Sequence, residues 1–178
     1  MIVEHKIAFT KTQVKMMDCW YACIQMLCSC EAGSKTKPKG PAAKAHRAPF
    51  FLAGMIGQKL DFASADGDAI MAENGLTDIS SNIDTNDIAT LATNLQTYGP
   101  IIAGGTFGMN RAGHFIVISG CDTATGCVSI YDPAWGMGKD TKPWTYIDQH
   151  SWGSMGSAGA FIAHDSADFF NQPTRTRR

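Results

Sequence analysis

The stretch Gln13-Val-Lys-Met-Met-Asp18-Cys19-Trp20-Tyr21-Ala22-Cys23 holds two of the chain's six cysteines, four residues apart. A cysteine here is a packing residue, a metal ligand, half of a disulfide or a nucleophile, and the rest of the sequence has to choose. Between Cys19 and Cys30 the apolar positions Ala22, Cys23, Met26, Leu27 and Cys30 recur at intervals of three and four, which is helical spacing. Asp18 stands just ahead of them, where a helix cap belongs. Cys19 therefore opens a helix, and the partial positive charge of a helix N-terminus favours the thiolate form in which cysteine attacks.

Working outward, residues 1–12 read as a short extended arm. Glu31 to Pro49 is rich in Lys, Gly, Pro and Ala, carries Lys35, Lys37, Lys39, Lys44 and Arg47, and reads as a mobile, solvated loop. Helices are expected over Phe50–Leu60, over Asp66–Asn74 with Gly75 as the C-terminal stop, and over Asp84–Gln96, closed by Gly99-Pro100. After Pro100 the texture changes to short β-branched and aromatic runs between glycines: Ile101–Gly104, His114–Ser119, Val128–Asp132 and Ala158–Ala163. Helices first and strands second imply an α+β fold with an antiparallel sheet. The tail from Asn171 to Arg178 reads as frayed. There is no internal repeat and no clean break, so residues 1–178 are expected to form one domain.

The bulk numbers narrow the function classes. The chain has 178 residues, 44% hydrophobic and 17% charged, which suits a globular domain with a sizeable core. Its formal net charge of −1 gives no global attraction to nucleic acid or an anionic membrane, so neither is expected as a partner. No apolar run approaches the ~20 residues that span a bilayer. Nor does a long apolar stretch follow the N-terminal charges, so no secretory signal is read there. Four of the six cysteines crowd into the one expected helix, where most disulfide pairings are geometrically poor. Cys121 and Cys127 flank a turn and leave a cross-hairpin bridge open, although a reducing site of action fits the set better. Zinc fits poorly, because Cys28-Ser-Cys30 is a C-x-C with no second ligand pair at a finger-like spacing. No metal and no organic cofactor is expected.

A cysteine nucleophile needs an imidazole beside it, an acceptor that orients the ring, and donors for the developing oxyanion. Gly113-His114-Phe-Ile-Val-Ile-Ser119-Gly120 places a histidine at the mouth of a buried strand. Cys127-Val-Ser-Ile-Tyr-Asp132-Pro133 places an aspartate at the far end of the next. In a hairpin centred near residue 123, nine residues from each, His114 and Asp132 become neighbours. Gln13, six residues before Cys19, is close enough in sequence to reach back toward it.

A glutamine six residues before a Cys-Trp that opens a helix, followed in order by His and Asp, resembles the papain-like cysteine protease superfamily. The pattern G-H, apolar run, G, then D-P-x-x-G is most similar to compact bacterial members. These include effector proteases injected into other cells and the leader-cleaving peptidase domains of bacteriocin exporters, which share the turn seen here as Asp132-Pro-Ala-Trp-Gly136. The resemblance spans roughly residues 10–165. It implies a papain-like fold with Cys19 as nucleophile, His114 as general acid/base, Asp132 orienting the ring and Gln13 in the oxyanion hole. The plant and lysosomal pattern C-G-[SA]-C-[WY] is matched only in its Cys-Trp half. The histidine follows after 95 residues rather than some 130–150, and aspartate replaces asparagine. The resemblance also implies a protein substrate, hydrolysed as peptide bonds. It implies an effector or toxin secreted by a specialised system into a target cell's cytoplasm, with a cognate immunity protein occluding the cleft as a further partner. An amidase or acyltransferase on the same scaffold, a leader-peptide protease and an inactive binding module remain as alternatives.

Each residue also has a plainer reading. Cys23, one turn further along the apolar stripe, is expected in the core. His164-Asp165 follows another apolar run but lacks a glycine-punctuated hairpin partner, so it ranks below His114. His5, His46 and His150 read as surface or loop residues. Trp20 and Trp135 read as packing that keeps water from the Cys–His pair.

Overall fold

The computed structural model describes residues 1–7, 12–13, 18–32, 40, 60–107, 113–134 and 137–165. Most of the expected loop over 31–49, the expected helix over 50–60, the tail, His46, Trp135 and Gly136 lie outside the described residues. The described elements are β1 (Ile2–Glu4), α1 (Cys19–Ala32), α2 (Ala65–Glu73), β2 (Leu76–Asp78), α3 (Ile88–Tyr98) and β3 (Ile101–Gly105). They continue with β4 (His114–Asp122), β5 (Cys127–Asp132), β6 (Gly138–Pro143), α4 (Trp144–His150) and β7 (Phe161–His164). The strands form one sheet in the order β2-β7-β3-β4-β5-β6, with β1 also paired to β4, and every pairing is antiparallel. This is the α+β architecture the sequence implies.

The helices start and stop for local reasons. The Asp18 carbonyl accepts the Ala22 N–H at 3.1 Å and opens the first turn of α1. Ser64 caps α2, its hydroxyl accepting the Gly67 N–H, and Gly75 follows at φ 61°, a left-handed position that glycine takes without strain. The third helix begins at Ile88, four residues later than its apolar pattern alone suggests. The reason is Asp84, whose carboxylate accepts the Asn86 N–H in a tight turn, which leaves Asp87 to cap Ala89. Gly99 ends it at φ 79°.

Both faces of the sheet are covered, and strand alternation sorts the residues. On one face Ile102, Phe115, Val117, Tyr131 and Ile162 pack with Trp20, Cys23, Ile24 and Leu27 of α1. On the other, Ile101, Ile116, Ile118, Ile130 and Phe161 pack with Leu91 and Leu95 of α3 and Ile147 of α4. At roughly 25 cal/mol per Å² of buried apolar surface, these two layers supply most of the drive for folding. Three strands escape a reading by apolar pattern. β1 and β2 have three residues each, and β6 is the polar edge strand Gly-Lys-Asp-Thr-Lys-Pro. The helices-first order is therefore not strict, since β1 and β2 precede Pro100 and α4 follows it.

All six cysteines are free thiols. Cys127 pairs across the hairpin with Asp122, while Cys121 pairs with Val128, so the two cysteines flanking the turn are not partners.

Candidate active site

The first turn of α1, the start of β4 and the end of β5 converge at one end of the sheet. His114 and Asp132 are both buried, and the His114 Nε2–H donates to Asp132 Oδ1 at 2.6 Å. The same oxygen accepts the Ala134 N–H at 2.8 Å, an Asx turn closed over Pro133. With Nε2 committed to the carboxylate, Nδ1 is the ring nitrogen left for Cys19, whose thiol lies close enough to the imidazole to act on its charge. Cys19 is 6% exposed and Cys23 is fully buried. The sequence thus places nucleophile candidate, imidazole and carboxylate in a row, although 95 residues separate the first two.

The hairpin register differs from the expected one. Asp122 pairs with Cys127, and a bulge lies between Ile118 and Gly120, so Val117 faces Tyr131. Continuing that register sets Asp132 across from Ile116 and diagonal to His114. The two side chains share a face and meet on the diagonal, which aspartate and histidine are long enough to bridge.

Charge at this site is strongly coupled. Burial is the largest influence on His114 and acts against protonation, yet the hydrogen bonds to Asp132 and Cys19 and their charges outweigh it and lift the imidazole to about 9. For Asp132, burial pushes the carboxyl up, but the His114 and Ala134 hydrogen bonds and the nearby His114 and Lys142 charges leave it below its ordinary value. Burial, reinforced by Cys19 and Asp132, drives the Cys23 thiol well up, which keeps it neutral in the core. That separates the two cysteines of the opening stretch.

Gln13 is drawn to the same end of the sheet. Its backbone N–H donates to the Pro133 carbonyl at 2.8 Å, one residue beyond Asp132. Trp20 is fully buried and meets Tyr21 edge-on, as packing requires. His164 is buried on β7 opposite Leu76, at the end of the sheet away from His114, so it does not share the site. His5 lies in the loop after β1, half-buried, its ring nitrogen 2.9 Å from the Leu95 carbonyl. His150 bonds the Tyr146 carbonyl and takes no part in the site.

One residue beside the site carries no sequence signal. The Trp152 indole lies against Gly113 and Gly104, where an added Cβ would stand 2.5 Å and 2.8 Å from its ring atoms. Its ring also meets Phe115 edge-on at 5.5 Å. Gly113 sits at φ 87°, so glycine is demanded there by conformation as well as by space. No apolar period marks Ser151-Trp-Gly-Ser-Met155, and only the two glycines that make room for the indole hint at it.

The fold and the sequence profile both match known proteins. Among solved structures, the chain resembles a double glycine motif protease from an AMS/PCAT transporter, a structure determined in complex with the leader peptide. The match has a TM-score of 0.51 at 15% identity and covers 91% of this chain and 92% of that one, a likeness of fold. No curated protein is significantly similar in sequence. The profile of the papain-like cysteine protease AvrRpt2 family matches residues 4–149. That span contains Gln13, Cys19, His114 and Asp132 and most of the sheet, and on it the chain belongs to the AvrRpt2 family of papain-like cysteine proteases.

Proposed function

We propose that the protein is an endopeptidase that cuts a specific protein through a Cys19–His114–Asp132 triad. Cys19, as thiolate, attacks the substrate carbonyl, and the tetrahedral oxyanion rests on the Cys19 N–H and the Gln13 amide. When the C–N bond breaks, the departing amine takes its proton from His114 and the acyl group remains as a thioester on Cys19. His114 then accepts a proton from water as that water attacks the thioester, releasing the second product and restoring the thiolate. Asp132 holds the ring so that Nδ1 faces the sulfur throughout.

The observation that carries this reading is the 2.6 Å His114–Asp132 bond, with Cys19 near enough to the ring to act on its charge. The leader peptide held by the structurally similar protease supports an extended peptide as substrate. It equally favours a second reading, removal of a leader from a precursor. We further propose that the protein is a secreted effector or toxin acting in a target cell's cytoplasm, with an immunity protein covering the cleft in the producer. Six free thiols suit that reducing compartment. Comparing protein N-termini in a target-cell lysate treated with the wild-type chain or with Cys19→Ala tests the proteolytic reading. New N-termini appearing only with wild type support it, and their flanking sequences separate a leader junction from an internal site. Identical N-termini in the two samples overturn it.

A further inference from the structure

A cleft of about 520 Å³ is walled in part by Trp152, and none of Cys19, His114 and Asp132 is among its described lining residues, so the reaction itself makes no use of it. Among the described residues its walls come from two separate segments: Leu60, Asp61 and Ala63 ahead of α2, and Trp152, Ser157 and Ala158 ahead of β7. Trp152 links the cleft to the chemistry, because its indole rests on Gly113, the residue directly before His114. A substrate side chain lying in the cleft would therefore belong to a residue close to the scissile bond.

The lining points to one class of side chain. Leu60, Ala63, Ala158 and the indole form an apolar wall, and Asp61 is the one ionisable residue among the described lining. Asp61 is held firmly. Its backbone carbonyl accepts the Ser64 N–H and hydroxyl, and its Oδ1 accepts the Ala63 N–H at 2.9 Å. Those bonds leave Oδ2 for a ligand. A purely apolar side chain would cover a carboxylate without replacing its water, which is unfavourable. An acidic one would meet like charge. A long aliphatic stem with a cationic head satisfies both walls, the stem on the indole and the cation on the carboxylate, and cations also favour a tryptophan face.

We propose that this cleft is the specificity pocket of the protease and takes a lysine or arginine side chain of the substrate, with Trp152 as its wall and Asp61 as its charge partner. The proposal rests on the proteolytic reading and adds the substrate class to it.

Two measurements separate the two ideas. In the first, full-length Cys19→Ala is titrated with Nα-acetyl-arginine N-methylamide and with its norleucine counterpart, following the Trp152 indole resonance assigned through Trp152→Phe. The expected result is a saturable shift with the arginine probe, weaker by on the order of tenfold with norleucine, and the same weakening of the arginine probe in Cys19→Ala/Asp61→Asn. Equal response to both probes, or none, overturns the pocket. In the second, the wild-type chain digests a proteome-derived peptide library. Sites enriched in Lys or Arg at one fixed position are expected, with the enrichment moving to Asp or Glu in Asp61→Lys. Cleavage without basic enrichment overturns the pocket and leaves proteolysis standing. Arginine binding without any cleavage overturns proteolysis and leaves the pocket standing.

Discussion

His114 Nε2 lies 2.6 Å from Asp132 Oδ1 although the two residues are not cross-strand partners. The bulge between Ile118 and Gly120 and the four-residue turn offset β5 against β4, and the contact is made on the diagonal. The carboxylate reaches Nε2 from that position, which leaves Nδ1 as the ring nitrogen available to Cys19.

Replacing members of the row should have graded effects. Cys19→Ala removes the attacking atom and should abolish turnover. His114→Ala should lower kcat by about 10³-fold or more, since it removes both proton transfers. Asp132→Asn keeps the shape and should lower kcat less, by about 10²-fold, if the carboxylate only orients and charges the ring. Single-turnover rates on a peptide found by the N-terminus comparison measure this, with circular dichroism confirming that each variant folds.

Stability should fall on the alkaline side. The His114 imidazole is raised from 6.5 to about 9 in the folded chain, so the folded state binds the proton more tightly than the unfolded state. The stabilisation is full below about pH 6.5 and is lost as pH rises through about 9, and it amounts to at most about 3 kcal/mol. Urea unfolding between pH 6 and 10 reads it. Asp132→Asn removes a main cause of the shift and should flatten most of the slope.

Thiol accessibility should divide the two cysteines of the opening stretch. Cys19 sits at the site, whereas Cys23 is fully buried and its thiol is held neutral. Iodoacetamide followed by peptide mapping should modify Cys19 in the native chain and reach Cys23 only after denaturation. Cys23→Ala should keep activity within a few-fold while costing about 1–2 kcal/mol of stability, the transfer of one small buried group and its cavity.

The seat of Trp152 gives a coupled pair. Gly104→Ala sets a methyl group 2.6 Å from a Phe115 ring atom and 2.8 Å from the indole, and should destabilise the fold by about 1–3 kcal/mol. In a Trp152→Ala background half of that clash is gone, so the two substitutions should be non-additive by at least ~0.5 kcal/mol in a double-mutant cycle read by thermal unfolding.

Much of the site was legible because its members lie on patterns that local physics writes into sequence. Cys19 opens an apolar stripe with helical spacing, and His114 and Asp132 bracket alternating runs around a turn. Asp132-Pro-Ala announces its own turn, which the Ala134 N–H closes. Elements without such patterns stayed hidden. β6 is polar because it is a solvent-facing edge strand, and β1 and β2 are too short to show a period. Trp152 sits in a short 3₁₀ turn whose value comes from glycines about 40 and 50 residues away.

By itself the sequence determined the class of fold, the helix that Cys19 heads and the two strands that carry His114 and Asp132, because backbone periodicity and capping act within a few residues. Only the tertiary structure decided the register that makes His114 and Asp132 diagonal, the free state of Cys121 and Cys127, the exclusion of His164 and the cleft between Asp61 and Trp152. These depend on a bulge, on strand order and on packing between segments far apart in the chain, and no local pattern encodes a distance across a sheet.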